Sequence, residues 1–283
     1  MKKRNLDLLV ISDVHLGTFG CRANKLLKYL KSVNPKKIVL NGDIIDGWQF
    51  TKYYFPNSHL KVIKYLIKMA TTGTKVFYIT GNHDEFLRKH SNLKLGNIEI
   101  LNKLILKINN KKIWFFHGDV FDFFQKGFAK IFAKLGGYGY DLLIVINTLI
   151  NTLYEFMGKG PLNVSKYVKD NFKHASKYIN SFENTISDLA IEKSYDYVVC
   201  GHIHEPVIKK IKNKKGEVTY LNSGDWIENL SALEFVNKKW SLFNYNKSHL
   251  AKKNIINKSP RKKIKKLIED EIYEDFIFPT SNR

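Results

Sequence analysis

LDLLVISDVHLG, residues 6–17, sets how the rest of the chain is read. Its apolar run from Leu8 to Ile11 stops at Ser12 and Asp13, and a histidine follows two positions later. So short a run between polar flanks predicts a strand buried on both faces rather than a helix. Short polar side chains just past the last apolar residue predict a functional loop at the strand's carboxyl end. The same pattern recurs: residues 37–41 lead into Gly42-Asp43-Ile-Ile-Asp46, and residues 75–80 into Gly81-Asn82-His83-Asp84. Helical periodicity at residues 24–33 and 58–71 fills the intervals, which predicts βαβ units and parallel strands. Residues 98–100, 104–108 and 112–116 extend the strand set, with Asn109-Asn110 as a hairpin turn, and the last of them runs into His117-Gly118-Asp119.

From residue 122 to 193 the pattern turns helical, broken by Gly127, Gly136, Gly137, Gly139, Gly158, Gly160 and Pro161. Strands resume at 195–200, which leads into Gly201-His202-Ile-His204, and then at 207–211, 218–221, 230–236 and 240–245. The expected organisation is therefore an α/β core of residues 1–121 and 195–246, a helical insertion or cap at 122–194, and a charged tail at 247–283. That tail is basic through Lys266 and acidic from Glu269 to Asp275, as solvated segments are. Residues 136–157 are strongly apolar, but Asp141, Asn147, Asn151 and Glu155 interrupt them. A span needs roughly 20 apolar residues, so a cap helix or a helix lying on a membrane surface is expected instead.

The composition supports a packed core, with 44% hydrophobic and 13% aromatic residues. Forty-seven basic residues against 26 acidic ones give a formal charge of +21, which favours anionic partners: phosphorylated small molecules, acidic lipids or nucleic acid. The two cysteines, Cys21 and Cys200, have no CxxC spacing and are expected as reduced thiols. The N-terminus carries no cleavage site of a signal peptide, so a cytoplasmic location is expected.

The five strand-end motifs collect carboxylates, imidazoles and one amide. That N/O donor set suits a divalent ion such as manganese, iron or zinc rather than a thiolate-selected metal. In Gly-His-x-His the two imidazoles alternate along an extended segment and so point the same way. Five of the nine histidines sit in these motifs, and His59, His90, His174 and His249 read as surface or packing residues.

With these motifs in this order, the chain resembles the calcineurin-like metallophosphoesterase superfamily over residues 6–122 and 195–246. The resemblance implies a sandwich of two mixed β-sheets flanked by helices. It implies two divalent metal ions, manganese ahead of iron or zinc, one held by Asp13, His15, Asp43 and His204. The other would be held by Asp43, Asn82, His117 and His202, with Asp43 shared. Paired cations of this kind activate water as a nucleophile and neutralise charge on a phosphoryl group. His83 would then protonate the leaving group, oriented by Asp46; on the residues alone Asp46 also reads as a helix cap. Asp84, Asp119 and Asp122 read as capping or supporting groups.

Within the superfamily the chain looks most like UDP-2,3-diacylglucosamine pyrophosphatases, on Asp-Val-His-Leu-Gly, the helical insertion and Asn222-Ser-Gly-Asp-Trp226. The resemblance implies hydrolysis of a nucleotide-sugar lipid in lipid A biosynthesis, with the insertion as a lid over acyl chains. Phe121, Phe123, Phe124, Phe128 and Phe132 suit acyl chains and equally suit the core of a cap. The third motif departs from those enzymes, which carry Gly-Asn-Arg-Asp there. Lys166, Lys169, Lys173 and Lys177 recur at helical spacing and are read as gripping a diphosphate or headgroup, or as a solvated face. The apolar insertion and basic tail predict peripheral contact with an anionic membrane, on the cytoplasmic face of the inner membrane. A broad phosphodiesterase or nuclease and an inactive scaffold of the same fold are the competing readings. The chain lacks the interleaved basic and aromatic pattern of single-strand binders, so nucleic acid is the weaker partner. Oligomeric state is not legible in the sequence.

Overall fold

The computed structural model describes residues 3–48, 55–121 and 167–252, and within the helix at 167–192 it describes side chains from residue 178 onward. Twelve strands form two sheets among these residues. The first sheet contains β1 (Arg4–Ile11), β2 (Val33–Asn41), β3 (Lys75–Ile79), β4 (Lys94–Leu95), β5 (Ile98–Leu101), β11 (Ser231–Val236) and β12 (Lys239–Asn244), in the order β12-β11-β1-β2-β3-β5-β4. The second contains β6 (Leu104–Ile108), β7 (Lys111–Phe115), β8 (Tyr197–Cys200), β9 (Val207–Asn213) and β10 (Gly216–Asn222), in the order β6-β7-β8-β10-β9. β1, β2, β3 and β5 run parallel, as do β7, β8 and β10, while antiparallel strands close the edges. This is the sandwich of two mixed sheets expected from the sequence.

Period-2 alternation makes the strands two-sided. Leu8 and Val10 of β1 point into the layer between the sheets, with Val39, Phe77, Ile113, Phe115, Val199 and Leu221. Leu9 and Ile11 face the other way and pack under α1 (Ala23–Ser32) and α2 (Asn57–Thr71). Behind the second sheet, Phe182, Ile186 and Ala190 of α3 (Tyr167–Glu192) cover Val198 and Tyr220. The Asn109-Asn110 turn has both residues at positive φ, 51° and 64°, the conformation that matches the strand twist of a two-residue hairpin. No helix among the described residues is long and apolar enough to cross a membrane.

Three local expectations shift. β2 begins at Val33, where the periodicity extended a helix; its first residues pair only with β1, because the β3 pairing starts at Lys37. Pro35 is tolerated there because its side facing β3 needs no donor. The two-residue β4 and the 3-10 helix Glu85–His90 carry no periodic signal and were not expected. Of the proposed insertion, residues 122–166 lie outside the described residues. So do residues 253–283 of the tail, together with Asp122, Phe123, Phe124, Phe128, Phe132 and Lys166.

Candidate metal centre

The strands that carry the motifs run parallel to one another, β1, β2 and β3 in the first sheet and β7 and β8 in the second, so their carboxyl ends open onto one edge of the sandwich. Asn41, the last residue of β2, fastens the two sheets there: its side-chain amide donates to the carbonyls of Phe116 (3.1 Å) and Val199 (3.4 Å). Sequence patterning missed Asn41, because an amide ending an apolar strand looks like an ordinary turn residue.

The edge gathers ligand atoms into three groups: Asp13, His15 and His204; His15, Asp43 and His83; and Asp43, His117 and His202. Within each, the atoms lie within 4.8 Å of one another. The first and third are subsets of the two ligand sets implied by the sequence. Asp43 Oδ2 is 3.2 Å from His117 Nε2 and 4.0 Å from His15 Nε2, so one oxygen faces ligands of both sets. Its other oxygen accepts the backbone N–H of His83 at 2.8 Å. His204 Nε2 lies 3.1 Å from Asp13 Oδ1.

The backbone is bent to achieve this. Asp13, His15, Asp43, His202 and His204 all hold positive φ between 52° and 66°. Non-glycine residues rarely adopt that region, and such strain collects where function requires a side chain to be aimed. The glycines before the motifs make room for ligands from neighbouring strands. A Cβ on Gly42 would sit 2.3 Å from His117 Nδ1, and one on Gly81 2.2 Å from Asp43 Oδ1.

A cation fits this donor set on one direct observation. His15 Nε2, His117 Nε2 and Asn82 Oδ1 are buried with no hydrogen-bond partner. Buried polar atoms without partners are rare, and three of them on the strand-end loops call for a partner of another kind. The far nitrogens of these imidazoles are taken: His117 Nδ1–H donates to the Asn41 carbonyl (3.0 Å), and His15 Nδ1–H to Asp46 Oδ2 (3.2 Å). Those bonds fix the tautomer that turns the Nε2 lone pair inward, as a metal ligand requires.

In the protein alone the imidazoles carry the balancing charge. Burial would raise Asp13, but His204 and His117 overcome it and hold the carboxyl below its ordinary value. Burial likewise opposes ionisation of Asp43, and the His117, His15 and His83 imidazoles hold it well below. Conversely, burial would lower His204, and Asp13 lifts it to about 9. His117 stands well above its usual value against the same burial cost, chiefly because of Asp43.

Asp46 has a larger part than orienting His83. Its Oδ2 accepts from His83 Nδ1 at 2.8 Å as well as from His15, and its Oδ1 accepts the Trp48 N–H at 3.1 Å. The rings of His15 and His83 meet edge to face, with centroids 4.6 Å apart. With Nδ1 occupied, Nε2 is the ring nitrogen of His83 left for a further contact. Burial would lower this imidazole, and the bond to Asp46 raises it.

Supporting groups surround the ligands. Asp84 accepts from the N–H of Gly81, the N–H of Ile44 and the Tyr78 hydroxyl, which ties the second and third motifs together. Asp225, also missed as a working residue, lies 4.0 Å behind His204 Nδ1 and accepts the N–H groups of Ile227, Glu228 and Asn229. Its signal, a buried Asp in the Asn222–Trp226 segment, was visible without any clue to its partner. His59 is a packing histidine as expected, but a connected one: its Nδ1 accepts the Gly17 N–H at 2.9 Å, steadying the loop of Asp13 and His15. Lys169, Lys173 and Lys177 lie on α3, and their side chains are outside the described residues.

Four exposed apolar residues follow the ligand motifs: Phe19 after His15, Trp48 after Asp46, Phe86 after His83, and Val120 after His117. The Trp48 ring lies 4.3 Å from that of His83.

The chain is 27% identical over 257 residues to the UDP-2,3-diacylglucosamine hydrolase of Wigglesworthia glossinidia brevipalpis, covering 86% of this chain and 95% of that one. It is 26% identical over 248 residues to the enzyme of that name in Blochmanniella pennsylvanica, covering 83% and 93%. Among solved structures, an archaeal phosphodiesterase aligns over 84% of this chain and 98% of its own, at 14% identity and a TM-score of 0.40. The calcineurin-like phosphoesterase profile matches residues 6–206, a stretch that holds every ligand-bearing motif from Asp13 to His204, and the chain belongs to that family of metal-dependent phosphoester hydrolases.

Proposed function

We propose that the protein hydrolyses the pyrophosphate bond of a nucleotide-sugar lipid of the UDP-2,3-diacylglucosamine kind, a step of lipid A biosynthesis. The observation that carries this reading is the pairing of a metal-fitting, anion-selecting centre with exposed apolar side chains on four of its loops. An ordinary soluble phosphoester gives those side chains nothing to cover, whereas an amphiphile does. The names of the relatives support the same substrate class.

Asp13, His15, Asp43 and His204 would hold one divalent ion, and Asp43, Asn82, His117 and His202 the other, with manganese ahead of iron or zinc on the family resemblance and all three suited to the mixed N/O donors. When bound, such a pair polarises the phosphoryl group and supplies the nucleophile. The chain's own residues do the rest. Asp43 keeps the two ligand sets in one frame, Asp46 holds His15 and His83 in their working tautomers, and His83 Nε2–H is the proton source for the departing oxygen. The insertion at 122–194, whose residues 182–190 pack behind the second sheet, would extend as a helical cap over the apolar side chains, with Lys166, Lys169, Lys173 and Lys177 gripping the diphosphate or headgroup. Residues 247–283 would form a charged tail, and contact with an anionic membrane on the cytoplasmic face follows from the same amphiphile.

The test is release of UMP from UDP-2,3-diacylglucosamine by the full chain loaded with manganese, beside bis-p-nitrophenyl phosphate and single-stranded DNA. Preferred turnover of the lipid is expected. Hydrolysis of bis-p-nitrophenyl phosphate without UMP release would defeat the substrate assignment. It would instead favour a phosphodiesterase, which the proton donor His83 suits because an alkoxide leaving group needs that proton.

A further inference from the structure

A pyrophosphate bond poses a charge problem that two ligand sets do not solve alone. They act on the phosphoryl group under attack, whereas the group that leaves is itself a phosphate. It depends less on the proton from His83 than an alkoxide would, and it gathers negative charge as it goes, so a fixed cation beside it adds to what the acid supplies. A guanidinium fork matches phosphate oxygens better than an ammonium does. The chain uses arginine sparingly: of its 47 basic residues only Arg4, Arg22, Arg88, Arg261 and Arg283 are arginine. Arg4 is consumed by the buried Glu234, which takes both of its terminal nitrogens.

Arg88 is placed differently. It sits on the 3-10 helix Glu85–His90, the element directly after Asn82 and His83. Its Nη2 donates to Asp119, two residues past His117. The guanidinium therefore stands between the two loops that carry Asn82 and His117, and the charge of Asp119 in turn acts on the His117 imidazole. Among the described residues Asp119 is its one partner, through one nitrogen, and the side chain is 36% exposed. Among the described residues Nε and Nη1 of the fork take no bond, while Nη2 fixes its position.

We propose that Arg88 is a substrate-contacting residue that takes the oxygens of the departing phosphate and so selects diphosphates over single phosphoryl esters. The inference rests on the pyrophosphate reading above. It assigns Asp119 the role of a positioning residue, holding the fork by one edge and leaving the other for the ligand.

The test is calorimetric binding of UDP and of UMP to the full chain loaded with manganese, for the parent and for Arg88→Ala, Arg88→Lys and Asp119→Asn. A charge-assisted bond to phosphate predicts that Arg88→Ala weakens UDP by about 10- to 100-fold and UMP by less than about threefold. Arg88→Lys should recover part of the loss, because it restores the charge without the fork, and Asp119→Asn should retain the preference for UDP. An equal loss for both nucleotides, or parental UDP binding by Arg88→Ala, overturns the proposal. A drop in bound manganese shared by Arg88→Ala and Asp119→Asn also overturns it, since the pair would then be a latch between loops. Turnover of bis-p-nitrophenyl phosphate by the parent, measured separately, reports on the hydrolase itself, so the two readings fail independently.

Discussion

Asp46→Asn isolates the least expected feature of the site, one carboxylate oxygen shared by His15 and by His83, the proposed proton donor. An amide of the same shape cannot serve both roles. With its oxygen at the Oδ2 position, its NH2 group faces the Trp48 N–H, which now donates to Oδ1 at 3.1 Å. Flipped, the NH2 group faces the Nδ1–H groups of His15 and His83, now 3.2 and 2.8 Å from Oδ2. Either way a donor meets a donor, and both histidine bonds lose their charge assistance. Charge-assisted bonds are about twice as strong as neutral ones, so about 1–2 kcal/mol is lost at each histidine. At 1.36 kcal/mol per tenfold, this is about 10-fold or more in first-site metal affinity and a similar factor in proton donation. Removing Asp46 also leaves burial as the dominant influence on His83, so its pKa falls and the alkaline limb of activity moves to lower pH. The assay compares bis-p-nitrophenyl phosphate, whose leaving group needs no proton, with a dinucleoside monophosphate, whose alkoxide does. Excess manganese should restore turnover of the first and leave the second depressed. Equal deficits on both at saturating manganese would refute the shared role.

Gly81→Ala places a methyl group 2.2 Å from Asp43 Oδ1, so loss of bound metal with a folded core is expected, read by metal analysis beside circular dichroism. Full metal content in this variant would show that the close packing of the motifs is slack. His59 is held down to about 4 by burial, below its ordinary value, so its contribution to stability is intact above about pH 6.5 and is lost as pH falls toward 4. Between pH 7.5 and 5 this amounts to about 2 kcal/mol, and urea unfolding of His59→Gln should show a correspondingly flatter pH dependence than the parent; identical slopes would count against it. Metal loading must displace protons from the raised His204 and His117 imidazoles, so binding at pH 7 should release protons and tighten as pH rises toward about 9. Calorimetry in buffers of different ionisation enthalpy reads that release, and a buffer-independent heat would contradict it.

That the candidate ligands are legible in the sequence, while most contacts of the residues supporting them are not, has a physical reason. A ligand-bearing loop in a parallel sheet must follow a strand buried on both faces, so Ile11, Asn41, Ile79, Phe115 and Cys200 each end an apolar run with a polar signature just behind it. That coupling of burial to position is local, and a sequence displays it. The second layer is not local. Asp225 reaches His204 across 21 residues, Asn41 reaches Phe116 and Val199 across 75 and 158, and Asp46 reaches His15 across 31. On the residues alone each of these is an ordinary Asp or Asn beside a turn, and the family resemblance marked only Asp46, for its bond to His83 and not for the one to His15. The glycines divide along the same line. That Gly42, Gly81 and Gly201 stand before motifs was visible, and turn geometry seemed reason enough. The structure supplies a stronger reason, since a side chain there would occupy the space of His117, Asp43 or Asp13 arriving from a neighbouring strand. Arg88 belongs to this nonlocal layer as well. In the sequence it is one cation among 47 basic residues, and only its pairing with Asp119 sets it between two ligand loops. The candidate metal ligands of this chain are thus carried at strand ends, whereas the residue proposed to choose the substrate is set by a contact between loops, where a single sequence is least informative.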